Sequence, residues 1–466
     1  MKDQLASVFF CAGARNHKLI ESLSKSQVYY EVDERIASFK ALGLCKSLQK
    51  PVAICTTSGT AVSECLSAMI EAYYSEAPLI LISADRPKEL QGTGAPQTID
   101  HEIITRNYRR SFFEITFEEF ESFDFTGVPL PLHLNVLIRS KDEALKLKVP
   151  PAFNDFPSFM KASKTPLFIF SHARESLREL VLKFKDYGIP FYAEALSGAH
   201  DLSVIKTEKT LVTLLKQGSF DSVVRIGHTP LSKAWRILES MNLPVYSFDP
   251  RGLKALSHGS IELLTPKEIL SNFQWWECLS PTHARPLSDE TPKLLVELAR
   301  RYPEAELSYF KLLHDQIPEH SLVYLGNSLP IRYFEMVQTK ELRIHANRGV
   351  NGIDGQLASA IGLSLSTKDP VYCIIGDMTL TYDLSSLASL PENLKLIVMN
   401  NRGGRIFETL KLDQRLVMEH DRTFQDIARG FNLTYSQNPR NLGTHQFIEL
   451  FPSLEQSRKF LQGWSL

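Results

Sequence analysis

Short apolar runs alternate with longer segments of helical periodicity along the first third of the chain. SVFFCAG (7–13) and VYYEVDE (28–34) are each typical of a strand, and ERIASFKALGLCKSL (34–48) places its apolar residues at helical intervals. The same patterning predicts a helix at about 61–74 and further strands at 51–59, 78–87 and 129–138. This alternation of strand and helix indicates a parallel sheet that is covered by helices on both faces.

The alternation continues in two further units along the chain. Strand-like runs lie at 166–171, 189–197, 222–230 and 244–250 in the second unit and at 322–328, 342–349, 371–377 and 394–400 in the third. Two segments rich in charge and proline, 140–158 and 280–293, separate the units. We therefore predict an α/β protein with three doubly wound parallel-sheet domains, at 1–155, 160–280 and 292–466.

Composition excludes several classes of function. A chain of 466 residues is too long for one hydrophobic core, and contents of 43% apolar and 23% charged residues are ordinary for a globular protein. A formal net charge of -1 without a long basic run argues against a nucleic-acid partner. No apolar segment is long enough to span a bilayer, and the N-terminus lacks the pattern of a signal peptide. The six cysteines form no CxxC pair, so we expect buried thiols in a cytoplasmic protein.

Charged and polar residues stand at the carboxyl ends of the predicted strands, which is where ligands bind in sheets of this kind. They occur at more strand ends than polar capping alone explains. The residues are Arg15, Glu34, Ser58 and Arg86 in the first unit and Ser328, Arg332, Arg348, Asp377 and Asn401 in the third. The pattern predicts a ligand-binding edge on both units.

Asp377 and Asn401 follow two runs that we expect to be neighbouring parallel strands, joined by a helix at about 380–390. Their side chains and the carbonyl group of Gly403 would emerge at one edge of the sheet, and these oxygen atoms suit Mg²⁺. The helix expected after Met378 would direct its N-terminus to the same place and favour a phosphate. A lone Gly-Asp pair is more often a helix cap, but followed by Asn-Asn at this spacing it favours a metal site.

The pairing of Gly376-Asp377-Met378 with Asn400-Asn401 resembles the metal–diphosphate motif of thiamin diphosphate enzymes, in which GDG is followed by NN. In that superfamily, a glutamate from another α/β domain contacts the aminopyrimidine ring of the cofactor. Glu34 corresponds to it, although an acid at a strand-to-helix junction often serves only the helix start. The resemblance implies bound thiamin diphosphate, Mg²⁺ or Mn²⁺, and Glu34 as the catalytic acid.

Longer stretches are similar to one branch of this superfamily, the 2-succinyl-5-enolpyruvyl-6-hydroxy-3-cyclohexene-1-carboxylate synthases of menaquinone biosynthesis. In chain order they lie at 32–46, 57–87, 94–101, 326–332, 347–355 and 400–407. The resemblance implies an enzyme that decarboxylates 2-oxoglutarate and adds the succinyl carbanion equivalent to isochorismate in a 1,4-addition. It also implies a homodimer or homotetramer, because the two halves of the site meet across a subunit interface in relatives.

The resemblance assigns roles to individual residues by motif. Cofactor contacts fall on Glu34, Ser58, Ile353, Gly376, Asp377, Met378, Thr379, Asn401, Ile406 and Phe407. The metal ligands would be Asp377, Asn401 and Gly403. Both substrates are dicarboxylates, whose oxygen atoms guanidinium groups bind in pairs. Substrate contacts fall on Arg15, Arg86, Gln97, Lys233, Ser328, Arg332 and Arg348.

Five positions depart from the pattern of this branch. Ala14 stands where Ser usually precedes the arginine, Ala234 stands where a second basic residue is common, and Met378, Arg402 and Arg405 alter the segments near the diphosphate. Two alternatives therefore stay open. One is a sister enzyme such as an acetolactate synthase or another 2-oxo acid decarboxylase, and the other is a non-catalytic relative that retains the fold. The four arginines favour dicarboxylate substrates over pyruvate.

Overall fold

The structure, a computed structural model, describes residues 5–23, 26–139, 150–173, 177–279 and 289–465. Three sheets organise these residues, two with six strands and one with five. Each strand pair in the described residues is parallel. The predicted fold class is confirmed, and we refer to the sheets with their helices as the first, middle and third domains.

The first domain contains six strands, β1 Ser7–Cys11, β2 Gln27–Glu31, β3 Val52–Thr56, β4 Leu79–Asp85, β5 Ser111–Thr116 and β6 Leu132–Leu137. Its helices are α1 Leu19–Leu23, α2 Glu34–Leu48, α3 Thr60–Glu64, α4 Leu66–Tyr74, α5 His101–Thr105 and α6 Phe117–Ser122. The strand order is β2-β1-β3-β4-β6-β5, so the chain reverses its direction across the sheet between β1 and β3. A switch point of this kind is where open α/β sheets bind ligands.

The middle domain has strands β7 Pro166–Phe170, β8 Phe191–Ala193, β9 Ser222–Ile226, β10 Val245–Phe248 and β11 Ser260–Glu262, in the order β11-β10-β9-β7-β8. Its helices are α7 Phe156–Ala162, α8 Arg178–Lys185, α9 Glu208–Lys216, α10 Lys233–Ile237, α11 Pro266–Ser271 and α12 Phe273–Glu277. Aromatic side chains dominate one face of this sheet, where Phe156, Phe248 and Trp275 pack against one another.

The third domain has strands β12 Leu322–Leu325, β13 Arg343–His345, β14 Val371–Gly376, β15 Leu394–Met399, β16 Tyr435–Ser436 and β17 Phe447–Leu450. Its helices are α13 Thr291–Arg301, α14 Glu306–Gln316, α15 Leu329–Val337, α16 Gln356–Ser364, α17 Asp377–Tyr382, α18 Ile406–Thr409, α19 Gln425–Gly430 and α20 Leu454–Ser465. The order β13-β12-β14-β15-β17-β16 repeats the arrangement of the first sheet, with the switch point between β12 and β14.

Burial explains why the apolar runs form strands. Strands β1, β3 and β4 are buried along their whole length, as parallel strands between two helical layers must be. Helix α2 covers one face through Ala37, Ala41 and Cys45 and coincides with the predicted span 34–48. Five of the six cysteines are buried, all six are free thiols, and the expectation of buried thiols holds except for the half-buried Cys278.

Several elements differ from the sequence-based expectations. The sequence analysis missed β5, β11, β16 and β17, of which β5, β11 and β16 lie at sheet edges, where burial and therefore apolar patterning are weaker. The helix predicted at 61–74 is divided at Cys65 into α3 and α4. The helix predicted at about 380–390 is α17, followed by a 3-10 helix at Leu384–Ser389. Other 3-10 helices lie at Asn16–Lys18, Lys88–Leu90, Arg106–Tyr108, Ala195–Ser197, His200–Leu202, Leu238–Ser240 and Gln414–Val417.

The predicted separating segments lie largely outside the described residues, at 140–149 and 280–288. The domain boundaries therefore stay a prediction, although α7 already begins within the first of these segments. Within the described part of the chain, no helix combines the length and apolar character that crossing a membrane requires.

Candidate active site

A cavity of about 700 Å³ lies between the carboxyl ends of the first and third sheets, and the middle domain closes part of it. Both sheets reach the cavity at their switch points. Arg15 and Ser58 follow β1 and β3, while Ser328 and Asp377 follow β12 and β14. We call this part of the lining the strand-end wall.

Glu34 is the first residue of α2 and lines the cavity with 8% of its surface exposed. The helix is capped by Asp33, which accepts from the N–H of Ile36 at 3.0 Å. The two carboxyl oxygens of Glu34 accept from Thr56 Oγ1 at 3.3 Å and from Tyr382 Oη at 3.1 Å. Burial raises the pKa of Glu34 to about 7, and these hydrogen bonds oppose the rise. The side chain can therefore exchange a proton near neutral pH.

Asp377 is buried at the start of α17. Its Oδ1 accepts from the N–H of Met378 at 2.8 Å, and its Oδ2 accepts from the N–H of Gly403 at 2.8 Å. The Nε2 atom of His420 lies 3.1 Å from the same Oδ2. The helix thus begins two residues before the predicted start, and Asp377 serves both the helix and the cavity lining.

Asn401 follows the end of β15 and presents an unpaired oxygen. Its Nδ2 donates to Glu306 Oε2 at 3.0 Å, whereas its Oδ1 is buried without a hydrogen-bond partner among the described residues. Burial raises the pKa of Glu306 to about 8, and the bond from Asn401 opposes this. Gly403, at φ 129°, leaves no room for a side chain, because a Cβ there would lie 2.5 Å from the carbonyl oxygen of Val417. A buried amide oxygen without a partner suits a hard cation.

The other residues predicted to contact the cofactor also lie on the cavity lining. They are Ser58, Ile353, Gly376, Met378, Thr379, Ile406 and Phe407. Ser328 has a positive φ, 77° at a ψ of -127°. Such a conformation is costly for a residue with a Cβ and is typical of functional sites.

Four predicted arginines line the same cavity, together with Gln97. Arg86 donates from Nε to the carbonyl oxygen of Pro96 at 2.9 Å, and Arg348 donates to Asn327 Oδ1 at 2.7 Å. Arg15 donates to the carbonyl oxygen of Ile138, and Arg332 to that of Ser328. These acceptors are backbone and amide oxygens, and the bonds orient the guanidinium groups within the lining.

The pKa values of two of these arginines are strongly lowered. Burial lowers the pKa of Arg332 to about 10, and the positive charge of Arg236 lowers it further. Burial also lowers the pKa of Arg348 to about 9, with an added contribution from Arg332. Positive groups that destabilise one another in a cavity favour the binding of an anion.

The middle domain contributes a second part of the lining, the middle-domain wall, formed by Pro230, Trp235, Arg236, Glu239, Ala255 and Leu256. Lys233, which the resemblance placed among the substrate contacts, lies outside the lining in the described structure and is exposed. The reason is local: Glu208 accepts from Ser232 Oγ at 2.9 Å and from the N–H of Lys233, which fixes the start of α10 away from the cavity. Arg236, one turn later, supplies a positive charge instead.

The departures at positions 402 and 405 have structural explanations. Arg402 is exposed and has φ 64°, while Arg405 is buried and donates from Nε to the carbonyl oxygen of Asn401 at 3.0 Å. The Arg405 guanidinium also pairs with Glu408 and Glu419. Arg405 therefore shapes the loop that carries Asn401, and its charge is already compensated.

Sequence reasoning missed several lining residues, of which Tyr382, Glu306, Trp235 and Arg236 are the most informative. None stands at a strand end, which was the signal used. Tyr382 lies four residues after Met378, a predicted cofactor contact, on α17, and this helical spacing could have pointed to it. Glu306 is distant in sequence from every motif, so no sequence signal was available for it.

The structure brings Glu34 and Asp377 into one cavity of a single chain, whereas the resemblance implied that they meet across a subunit interface. A second hydrogen bond joins the same two domains, from Thr60 Oγ1 to Asp354 Oδ1 at 2.9 Å. The cavity of this chain thus supplies no evidence of its own that Glu34 and Asp377 meet across a subunit interface.

Comparisons of the sequence with known proteins identify relatives whose names fit the kind of site that the cavity residues suggest. Residues 1–104 match the family model "Thiamine pyrophosphate enzyme, N-terminal TPP binding domain". A 2-succinyl-5-enolpyruvyl-6-hydroxy-3-cyclohexene-1-carboxylate synthase of Bdellovibrio bacteriovorus is 32% identical over 98% of this chain and 95% of its own length. A synthase of the same name from Akkermansia muciniphila is 29% identical over 97% and 91%. That from Bacillus pumilus is 30% identical over 86% and 80%.

Proposed function

This chain belongs to the family of 2-succinyl-5-enolpyruvyl-6-hydroxy-3-cyclohexene-1-carboxylate synthases, and on that premise we propose that it decarboxylates 2-oxoglutarate and adds the succinyl unit to isochorismate. The chain is a thiamin diphosphate-dependent enzyme of menaquinone biosynthesis. One observation carries the proposed substrates: Glu34, Asp377 and a set of arginines share a single cavity.

The residues present fit a diphosphate-bearing cofactor and a divalent cation. Asn401 Oδ1 is buried and unpaired, the Asp377 carboxylate is buried nearby, and the carbonyl group of Gly403 belongs to the same loop. We propose that these three groups hold Mg²⁺ or Mn²⁺. Thiamin diphosphate, when bound, supplies the electron sink that decarboxylation of a 2-oxo acid requires.

Glu34 is proposed to hold and release the proton that activates the cofactor ring. A carboxyl group whose pKa is about 7 is populated in both protonation states at neutral pH, which suits an acid–base role. Ile353, Ile406, Phe407 and Met378 are among the apolar side chains of the lining and are proposed to exclude water from the charged groups. Ile353 is proposed to separate the two rings of the cofactor.

The arginines are proposed to bind the carboxylates of both substrates. Arg15, Arg86, Arg332 and Arg348 line the cavity together with the polar side chains of Gln97 and Ser328. Burial and, to a smaller extent, the charge of Arg332 lower the pKa of Arg348, and bidentate binding of a carboxylate would offset both effects. Pyruvate, with a single carboxylate, would leave part of this charge unmatched, which disfavours an acetolactate synthase activity.

An assay with 2-oxoglutarate and isochorismate, with and without thiamin diphosphate and Mg²⁺, tests this proposal. We expect cofactor-dependent loss of isochorismate absorbance together with release of CO₂. Turnover of pyruvate in place of 2-oxoglutarate would instead identify a sister enzyme. No heat of thiamin diphosphate binding in calorimetry would identify a non-catalytic relative.

We also propose a homodimer or homotetramer located in the cytoplasm. Tyr29 on β2 and Ile36 and Phe39 on α2 are exposed apolar side chains, with 38%, 44% and 45% of their surfaces exposed, and a subunit interface would bury such side chains. The six free thiols are consistent with a reducing compartment. Light scattering of the purified protein should give at least twice the monomer mass of 52.8 kDa.

A further inference from the structure

The carboxyl group of Glu34 is held from two domains. Thr56, at the end of β3 in its own domain, donates to Oε1, and Tyr382, on α17 of the third domain, donates to Oε2. Glu34 and Tyr382 both line the cavity. The last torsion of a glutamate side chain has only broad preferences, so the orientation of its carboxyl plane depends on such contacts.

We propose that Tyr382 is a positioning residue for the reaction: its hydroxyl group fixes Glu34 in the orientation that meets the pyrimidine ring. The inference rests on the proposed role of Glu34 and extends it. The bond between Thr60 and Asp354 joins the same two domains beside this contact.

The surroundings of Tyr382 and Glu34 keep the Tyr382 hydroxyl group protonated, so that it can donate a hydrogen bond. Burial raises the pKa of Tyr382 far above its usual value, and the nearby carboxylates of Glu34, Glu64, Asp33 and Asp354 raise it further. The phenol therefore keeps its proton throughout the working pH range and can donate a hydrogen bond to the ionised carboxylate of Glu34.

The groups that face Glu34 from the other packed elements cannot replace this donor. Cys11 on β1 and Cys65 between α3 and α4 interact electrostatically with Glu34, and burial raises the pKa of both thiols, so they stay neutral. Asp354 precedes α16 and is itself an acceptor toward Thr60. From the third domain, Tyr382 is the group whose hydrogen bond stabilises the ionised carboxylate of Glu34.

The test compares Tyr382→Phe with Tyr246→Phe. Tyr246 makes a tyrosine–glutamate bond of the same length, 3.1 Å to Glu262, in the middle domain away from the cavity. The readout is the rate of hydrogen–deuterium exchange at the reactive thiazolium carbon of bound thiamin diphosphate, followed by acid quench and NMR without any substrate. We expect Tyr382→Phe to slow exchange about tenfold, because a hydrogen bond to a charged group is lost, while Tyr246→Phe leaves it unchanged.

Two further measurements separate positioning from loss of structure. The pH at which exchange reports ionisation of Glu34 should move upward in Tyr382→Phe, since a donor that stabilises the carboxylate is gone. In a Glu34→Gln background, Tyr382→Phe should cause no additional loss. Unchanged exchange with an unchanged pH profile, or a full additional loss in that background, would overturn the inference while leaving the proposed function intact. Absence of cofactor binding by the wild-type protein would overturn both.

Discussion

The strand-end wall and the middle-domain wall of the cavity are built in different ways. Glu34, Asp377 and Asn401 stand at the junctions that follow strands of two parallel sheets, and each lines the cavity as the sequence pattern predicts. On the middle-domain wall the predicted residue Lys233 lies outside the lining, and Arg236 lies on it. Strand ends are thus a far better guide to a site than positions on a short surface helix.

The physical reason is the number of constraints on each wall. In a parallel sheet, register and direction bring the carboxyl ends of neighbouring strands to one edge, so residues after β12, β14 and β15 must lie close together. The side of α10 that meets the cavity depends instead on how its start is anchored. Glu194 accepts from the N–H of Ser232 at 2.8 Å, and Glu208 accepts from Ser232 Oγ. Burial of Ala234 and Trp235 in the middle-domain core also fixes which side of this five-residue helix meets the cavity.

The largest expected effect tests the strand-end wall. Glu34→Gln should lower turnover about 10²- to 10⁴-fold, because an amide cannot exchange the proton that activates the cofactor. Thiamin diphosphate binding, measured by calorimetry, should fall much less. Glu392→Gln, at an exposed turn, is the control and should retain wild-type rates. Near-normal turnover of Glu34→Gln would contradict the assigned role.

A smaller effect, on metal binding, is expected from substitution of Glu306. This residue contacts Asn401 of the strand-end wall but does not itself follow a strand. Glu306→Met removes the acceptor that turns the Asn401 amide so that Oδ1 faces the cavity. Binding of Mn²⁺, followed by electron paramagnetic resonance in the presence of thiamin diphosphate, should weaken about 10- to 100-fold. Glu306→Gln retains an acceptor oxygen and should bind the ion nearly as tightly as wild type. Equal losses in both variants would indicate that charge, rather than orientation, matters.

The middle-domain wall should show a moderate effect on substrate binding. Arg236→Ala should raise KM for at least one dicarboxylate substrate about tenfold with kcat little changed, since a charge-assisted contact is lost from binding. Lys233→Ala, three positions earlier and exposed, should leave both parameters unchanged. The opposite result would restore the prediction made from the sequence and show that α10 turns when substrate binds. Thermal unfolding of both variants would exclude loss of folding.

The smallest effect concerns stability of the apoprotein and its dependence on pH. Because the pKa of Glu34 rises from 4.5 in the unfolded chain to about 7, the folded state binds more protons between these values. Relative to Glu34→Gln, the wild-type protein should therefore lose stability as the pH rises from about 4.5 to 7, by up to about 3 kcal/mol. Urea unfolding at several pH values measures this. A difference that grows in the opposite direction would mean that Glu34 ionises more easily in the folded protein.

The sequence predicted the buried strands of the fold better than its edge strands. Buried strands such as β3 and β14 were predicted because helices cover both faces and require continuous apolar runs. The edge strands β5, β11 and β16 were missed because they are short or only half-buried. The division of the helix at Cys65 was not predicted, because no proline or glycine marks it in the sequence.

The sequence by itself determined the three parallel sheets, the strand-end residues and the family, because apolar periodicity and motif spacing are local properties of the chain. The tertiary structure alone decided which distant groups complete the site. Tyr382 meets Glu34 across 348 positions, and Glu306 meets Asn401 across 95. Such contacts depend on how whole domains pack, since a hydrogen bond requires atoms within about 3 Å of each other, and local patterns do not encode the relative placement of domains.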